Sequence, residues 1–433
     1  MANGATNGFL LSSTQNIFNL VKRSSLYSNA YYLMLNSVVT SLLGFVFWNI
    51  MARFFSAAEV GIGSALVAAS GLVGTLASLG LGFGLIRFVP EAGEGAGQLV
   101  NAALTLAGAA AVAGSLVYLA GAGEWSPDLV FVRENVWLLA LFVLFTVAAT
   151  GSALTDCSLV ARRTARYVFW KNTVTCLLKL PLPVFIFAHL RGYGIFAGTG
   201  AATLVGLLLS WFWFLPSVYR GYSPYPVWPG DMVKKILPYS FGNYLAGMLN
   251  SLPGLVYPIM ALTVLGPEES AFFYIAWMMT MVLAIIPGGL SQSLMAEGSY
   301  DQGGLGQNAR RSLAVSLSFS VPAVGLMALL AGWLLHFFGS GYAENGTAIV
   351  RFLALSIIPQ CINTLYMTVN QVRKNVPQVI AQTGSIAVIS LGLGWLMLRL
   401  VGLPGIGMAY TIAHLVVALV VVWPLWRALR EKP

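Results

Sequence analysis

Residues 30–52 read AYYLMLNSVVTSLLGFVFWNIMA and residues 60–86 read VGIGSALVAASGLVGTLASLGLGFGLI, with Arg53 and Glu59 confined to the short stretch between them. Neither run carries a charge. A helix of about twenty apolar residues spans the hydrocarbon layer of a bilayer with every backbone amide paired internally, so both are read as membrane spans. The pattern continues through the chain. Further spans are expected at 98–120, 135–159, 172–190 and 194–216, then at 238–264, 270–296, 311–338, 347–370, 377–400 and 405–427. The composition agrees: 58% of the 433 residues are apolar and 9% are Asp, Glu, Lys or Arg, against about a quarter charged in soluble domains. The expectation is an all-α polytopic membrane protein of about twelve transmembrane helices.

Residues 1–29 are polar and hold no continuous apolar core ahead of a small-residue cleavage site, so no cleavable signal peptide is expected. They are read as a cytoplasmic segment. Leu10, Ile17 and Val21, ending in Lys22-Arg23, suit a short interfacial helix as well as a disordered tail. Cys157, Cys176 and Cys361 are scattered singly, and the three histidines His189, His336 and His414 form no ligand motif, so no metal site is expected. There is no Walker A sequence and no extramembrane segment large enough to fold around a nucleotide; no cofactor is expected.

Of the 23 Lys and Arg residues, seventeen, Arg87, Arg162, Arg163, Lys171 and Arg373 among them, fall on the side of the two termini. Five fall on the other side (Arg53, Arg133, Arg191, Arg351 and Arg399), and Lys179 lies inside the fifth span. An excess of basic residues marks the cytoplasm, which places both termini inside, in the cytoplasmic (inner) membrane. The net charge of +9 is then a topogenic signal, and no nucleic-acid partner is inferred. The longest loop, residues 217–237, is cytoplasmic and carries Pro224, Pro226 and Pro229, as a tether between two bundles would. It separates an N-terminal lobe, 30–216, from a C-terminal lobe, 238–427, with a tail at 428–433.

The two lobes repeat one another. Lys22, Arg23, Tyr27, Ser28 and Tyr32 match Lys234, Lys235, Tyr239, Ser240 and Tyr244 at a shift of about 212. Ser56–Glu59 matches Gly266–Glu269, Arg162-Arg163 matches Arg373-Lys374, and Gly194-Ile195 matches Gly405-Ile406, all at shifts of about 210 or 211. Six spans per repeat make the lobes parallel, related by an axis along the membrane normal. A cavity between two such lobes opens to either face, which is the geometry alternating access requires. Ser56-x-x-Glu59 also reads as a capping box at the start of the second span, with Pro267 and two acids doing the same for the eighth.

The run Ala52-Arg53-Phe54-Phe55-Ser56-Ala57-Ala58-Glu59-Val60-Gly61, then Gly80 and Gly82, then Leu85-Ile86-Arg87-Phe88-Val89-Pro90-Glu91, resembles the first two helices of the polysaccharide transport family. That family includes the Wzx-type O-antigen flippases. It belongs to the multidrug/oligosaccharidyl-lipid/polysaccharide exporter superfamily, which also holds multidrug antiporters and lipid II flippases. The second repeat echoes the pattern in Leu265-Gly266-Pro267-Glu268-Glu269. The sequence departs from it where Ser56-Ala57 replaces Gly-Pro and where Ser270-Ala271 replaces an aromatic-glycine pair. The resemblance implies a MATE-like fold, a V of two six-helix lobes with spans 1, 2, 7 and 8 lining the cavity. It also implies a flippase moving polyprenyl-pyrophosphate-linked oligosaccharide to the outer leaflet. The same resemblance suggests membrane lipids as surroundings, polysaccharide polymerase or glycosyltransferases as neighbours, and a monomer as the working unit.

Such a cargo needs cations for its phosphates and hydrogen-bonding groups for its sugars. The cationic candidates are Arg53, Arg87, Lys179 and Arg351, for each of which phosphate contact competes with interfacial anchoring or snorkelling. Asn36, Asn250, Asn363 and Asn370 are the amide candidates, with interhelical hydrogen bonding as their alternative use. Asp156, Glu297 and His414 are candidates for ion pairing or for coupling to an H+ or Na+ gradient. Two rival functions remain at this level: a cation-coupled multidrug antiporter of the same superfamily, and a membrane glycosyltransferase or polymer ligase. The short outer loops argue against the second.

Overall fold

A computed structural model describes residues 25–228, 230–300 and 304–428. The N-terminal segment through Arg23, the proposed interfacial helix and the tail from 429 onward lie outside the described residues. Among the described residues fourteen helices of eight or more residues are found, seven in each half. The N-terminal half holds α1 (Ser25–Phe54), α2 (Ala57–Ala77), α3 (Leu81–Phe88), α4 (Ala96–Ala120), α5 (Val136–Ala161), α6 (Ala165–Leu178) and α7 (Gly192–Leu209). The C-terminal half holds α8 (Asp231–Leu265), α9 (Pro267–Met281), α10 (Ile285–Tyr300), α11 (Leu305–His336), α12 (Ser340–Val372), α13 (Val376–Val401) and α14 (Pro404–Ala428). Ten helical segments of the described residues are long and apolar enough to cross a membrane, and the bent pair α9–α10 makes an eleventh. The expected twelfth is α6, which is too short alone and continues through Pro181 and Pro183 as a π-helical turn, Leu182–Ile186.

Four of the expected spans differ from the reading of the sequence. The second is broken at residues 78–80, where Gly80 takes a left-handed φ of 74°. A Cβ there would also lie 2.6 Å from the Tyr244 Cβ, so only glycine fits both the turn and the approach of α8. The eighth is bent by 45° between α9 and α10. The fifth begins at Ala165, well before the expected residue 172, which draws Lys171 into the helix. Likewise α8 begins at Asp231, inside the stretch read as the tether.

Backbone details repeat at the shift read from the sequence. Arg163 and Lys374 both take left-handed φ values, 57° and 59°. Around them Thr164 N donates to Leu159 O at 3.0 Å and Asn375 N to Asn370 O at 2.8 Å. These are matching Schellman closures of α5 and α12. Gly194 N donates to Arg191 O at 2.8 Å and Gly405 N to Gly402 O at 2.9 Å, again 211 residues apart. At both glycines an added Cβ would strike a carbonyl oxygen, Phe187 O at 2.1 Å or Met397 O at 2.4 Å. The capping box forms as read: Ser56 N donates to Glu59 Oε2 at 2.9 Å and Glu59 N to Ser56 Oγ at 3.3 Å.

The halves meet along α2, α8 and α9. Gly61 sits so close to the start of α9 that a Cβ would lie 1.7 Å from Pro267 O. Around this point one core cluster crosses the seam: Phe47, Met51 and Phe55 of the N-terminal half pack with Phe273, Leu335 and Phe338 of the C-terminal half. Within lipid such contact is held by close packing and dispersion, since lipid tails are as apolar as the side chains.

Candidate substrate cavity between the halves

The seam is closed unequally. Among the described residues, α1 reaches the C-terminal half by hydrogen bonds and ring contacts only from Phe45 to Arg53. Asn49 Nδ2 and Arg53 Nη2 donate to Phe337 O at 2.8 and 3.0 Å. Trp48 packs on Tyr274 and Phe45 on Phe338, at centroid distances of 4.5 and 5.2 Å. Earlier in the same helix, Tyr31, Met34, Val38 and Leu42 are exposed. On the other flank contact runs further: Tyr244 donates to the carbonyls of Thr75 and Leu76 at 3.3 and 3.0 Å, and Phe83 approaches Gly247. Among the described residues the hydrogen bonds and ring contacts of α1 with the C-terminal half thus gather toward the Phe54/Pro267 end, and its earlier part makes none.

Inside the N-terminal half a polar network lies where α1, α5 and α6 pack. Lys171, fully buried, places its ammonium 2.6 Å from Asp156 Oδ1, which is a quarter exposed. It also donates to Ser152 Oγ at 2.7 Å and Ser152 O at 3.1 Å. Two hydrogen bonds and one ion pair thus surround the ammonium, the kind of compensation a cation needs away from water. Asn172 Nδ2 extends the network to Asp156 Oδ2 at 3.4 Å and to Asn36 Oδ1 at 3.1 Å on α1. Lys171, read from the sequence as a cytoplasmic anchor, is therefore an interior residue. The basic excess on the terminal side survives its loss, and Asp156 is an ion-pair partner.

The four cationic candidates do not converge. Arg53 is committed to Phe337 O and to Asn49 Oδ1 at 3.3 Å, and serves the closed end. Arg351 donates to Ala328 O at 3.1 Å across α12 and α11. Lys179, half-buried at the C-terminus of α6, lies 5.1 Å over the Phe47 ring, and no carboxylate pairs with it among the described residues. Arg87 pairs with Glu91 at 2.8 Å, both more than half exposed. It borders a 330 Å³ cavity between α3 and α8 with Phe83, Ile86 and Asn243.

The amides and the histidine are more concentrated. Asn250, Asn363 and His414 line a single 410 Å³ cavity with Gln360 and Gln382, at the bend between α9 and α10. Asn370 instead donates to Tyr366 O at 2.9 Å within its own helix and does not line this cavity. Glu297 is exposed on α10. Asn363 Nδ2 donates to His414 O at 2.9 Å and lies 3.2 Å from His414 Nδ1. The carbonyl fixes that nitrogen as the donor, so Nδ1 must accept and a neutral ring carries its proton on Nε2. Gln382, which the sequence reading passed over, donates to Asn363 O at 2.8 Å. This bond repeats that of Lys171 to Ser152 O, both partners displaced by 211 residues. The internal repeat was the signal that would have found both Lys171 and Gln382.

The family described as polysaccharide biosynthesis protein matches residues 26–296, more than half of the chain. The chain belongs to this family. Among solved structures it is similar to the lipid II flippase MurJ in its inward closed conformation, with a TM-score of 0.72 at 14% identity over 90% of this chain and 87% of that one. It is also similar to the inward-facing conformation of a multidrug resistance MATE family transporter of the MOP superfamily, with a TM-score of 0.67 at 15% identity over 90% and 94% of the two chains. MATE in its straight conformation gives 0.62 at 16% identity over 93% and 95%. At such identities the likeness is one of fold, and it establishes the fold expected of this family member. No curated protein sequence matches the chain significantly.

Proposed function

We propose that this chain is a flippase that carries polyprenyl-(pyro)phosphate-linked oligosaccharide from the cytoplasmic to the outer leaflet of the inner membrane by alternating access. The observation that carries the reading is the unequal seam: packed rings join α1 to the C-terminal half at one end of the interface, while the earlier part of α1 leaves Tyr31, Met34, Val38 and Leu42 exposed. The excess of basic residues favours a cytoplasmic position for that less packed end of α1, the side on which such lipids are assembled. Membership of a polysaccharide biosynthesis family and a fold shared with a lipid II flippase support the same class of cargo. In this reading residues 30–216 and 238–427 are the two lobes, 217–237 is their tether, and the segments 1–29 and 428–433 are cytoplasmic.

The lipid tail stays in the bilayer through the gap between α1 and α10 while the headgroup enters the cleft. Two cations are available to its phosphates. Lys179 has only an aromatic face to give up. Arg87 is held by an exposed carboxylate, and such surface pairs contribute only about 0–1 kcal/mol, which a pyrophosphate readily replaces. The multidrug antiporter reading is supported less well, because Asp156, the one acid found deep in the N-terminal half, is already neutralised by Lys171. The test is reconstitution in liposomes with a fluorescent polyprenyl-pyrophosphate sugar, comparing the parent with Arg87→Ala and Lys179→Ala. Each substitution is expected to slow translocation about tenfold, the loss of one charge-assisted contact. Two variants as fast as the parent would remove the cationic role.

A further inference from the structure

The C-terminal cavity leaves polar atoms unused. Asn363, Gln382 and His414 are each more than nine-tenths buried, all three line the cavity, and Asn363 Oδ1, Gln382 Oε1 and His414 Nε2 have no protein hydrogen-bond partner among the described residues. Unpaired buried polar groups are costly, and native proteins keep few of them without a use. The set is mixed in character: two carbonyl oxygens accept, and the imidazole Nε2–H donates. A cation would satisfy the two oxygens and be repelled by the N–H; an anion would do the reverse. A hydroxyl group donates one hydrogen bond and accepts two, and is the chemistry that meets both kinds.

The remaining walls fit the same ligand. Trp277 packs against Tyr410 at a centroid distance of 5.0 Å, and Tyr410 against His414 at 4.5 Å, so one side of the cavity is a braced aromatic surface. Sugar rings combine a rim of hydroxyls with an apolar face of C–H groups that an indole can cover. Among the described residues no Asp, Glu, Lys or Arg lines the cavity, and where the N-terminal half places the Lys171 ammonium the repeat places the Gln382 amide. At 410 Å³ the cavity is within the range of small-ligand pockets. We propose that it is a subsite for one neutral sugar ring of the cargo, so that the halves divide the headgroup, phosphates toward the N-terminal cations and sugar toward the C-terminal amides. The proposal rests on the flippase reading.

Gly288 provides a variant that should fold. It lines the cavity, an added Cβ meets nothing within 4 Å, and it stands in a helix, where leucine is the better former. Binding of three lipids to the full chain in nanodiscs is measured: bare polyprenyl pyrophosphate, the same lipid bearing glucose, and the same lipid bearing glucuronic acid. Glucose is expected to tighten binding about tenfold over the bare lipid, roughly one well-made hydrogen bond beyond cost, and glucuronic acid not at all. Gly288→Leu and Gln382→Leu are expected to abolish the glucose gain and leave the affinity for the bare lipid as in the parent. If the bare lipid binds and glucose adds nothing, or if the gain survives Gly288→Leu, the subsite is wrong while the flippase reading stands. If no polyprenyl lipid binds the parent, the flippase reading falls and takes the subsite with it.

Discussion

Lys171 shows what a single residue in this fold costs and how it is kept. Three acceptors surround its ammonium, and deleting one partner of such a buried pair leaves the other charge stranded. Lys171→Ala is therefore expected to lower stability by about 3–5 kcal/mol, and the joint replacement Lys171→Met with Asp156→Leu by much less. Thermal unfolding in detergent measures both, and equal losses for the single and double variants would contradict this account of the pair. Ser56→Ala, which removes one arm of the capping box, is expected to cost about 1 kcal/mol by the same assay. The capping box was legible in the sequence because both of its partners lie within four residues. The ion pair was not, because its partners are fifteen positions apart on two helices whose boundaries composition places loosely.

At the scale of the helix, breaks matter more than spans. Apolar runs locate α1, α4, α5 and α11 to α14 well, since lipid exposure demands uninterrupted apolar sequence. They do not reveal that the second span of each half is interrupted, because Gly80 and the residues before α10 are themselves apolar or small. The close approach of α2 to α9 at Gly61 was likewise invisible: it depends on a carbonyl 206 residues away. Gly61→Val would force those helices apart, an overpacking cost of about 1–3 kcal/mol that falls on the closed end alone. Labelling of Asn49→Cys by a membrane-impermeant maleimide should then rise in the Gly61→Val background. Unchanged labelling would show that the contact does not hold that end shut.

Over the whole molecule the repeat was the most informative feature of the sequence. Three of its four anchors fall at turns: Arg163 and Lys374 adopt the same left-handed conformation and Gly194 and Gly405 the same close approach. Turn geometry constrains residue type more tightly than a lipid-facing helix does, so the two copies stay recognisable there. The candidate site was legible only in part. Asn250, Asn363 and His414 gather in one cavity, whereas Arg53 and Arg351 serve helix carbonyls and Asn370 its own helix. Side-chain type says that a group is polar, and only the packing of several helices says whether it faces a cleft or a carbonyl.

That the halves part at the Phe54/Pro267 end for cargo to leave is what alternating access requires of this chain. It is tested most directly by joining Asn49→Cys to Phe337→Cys across that end with a short bifunctional reagent, in a chain whose three native cysteines are replaced by serine. Translocation of a fluorescent polyprenyl-pyrophosphate sugar in liposomes is then followed before and after the link is made. The link is expected to stop translocation, and cleaving it to restore the parent rate. Translocation continuing at the parent rate through a fully linked protein would contradict that requirement.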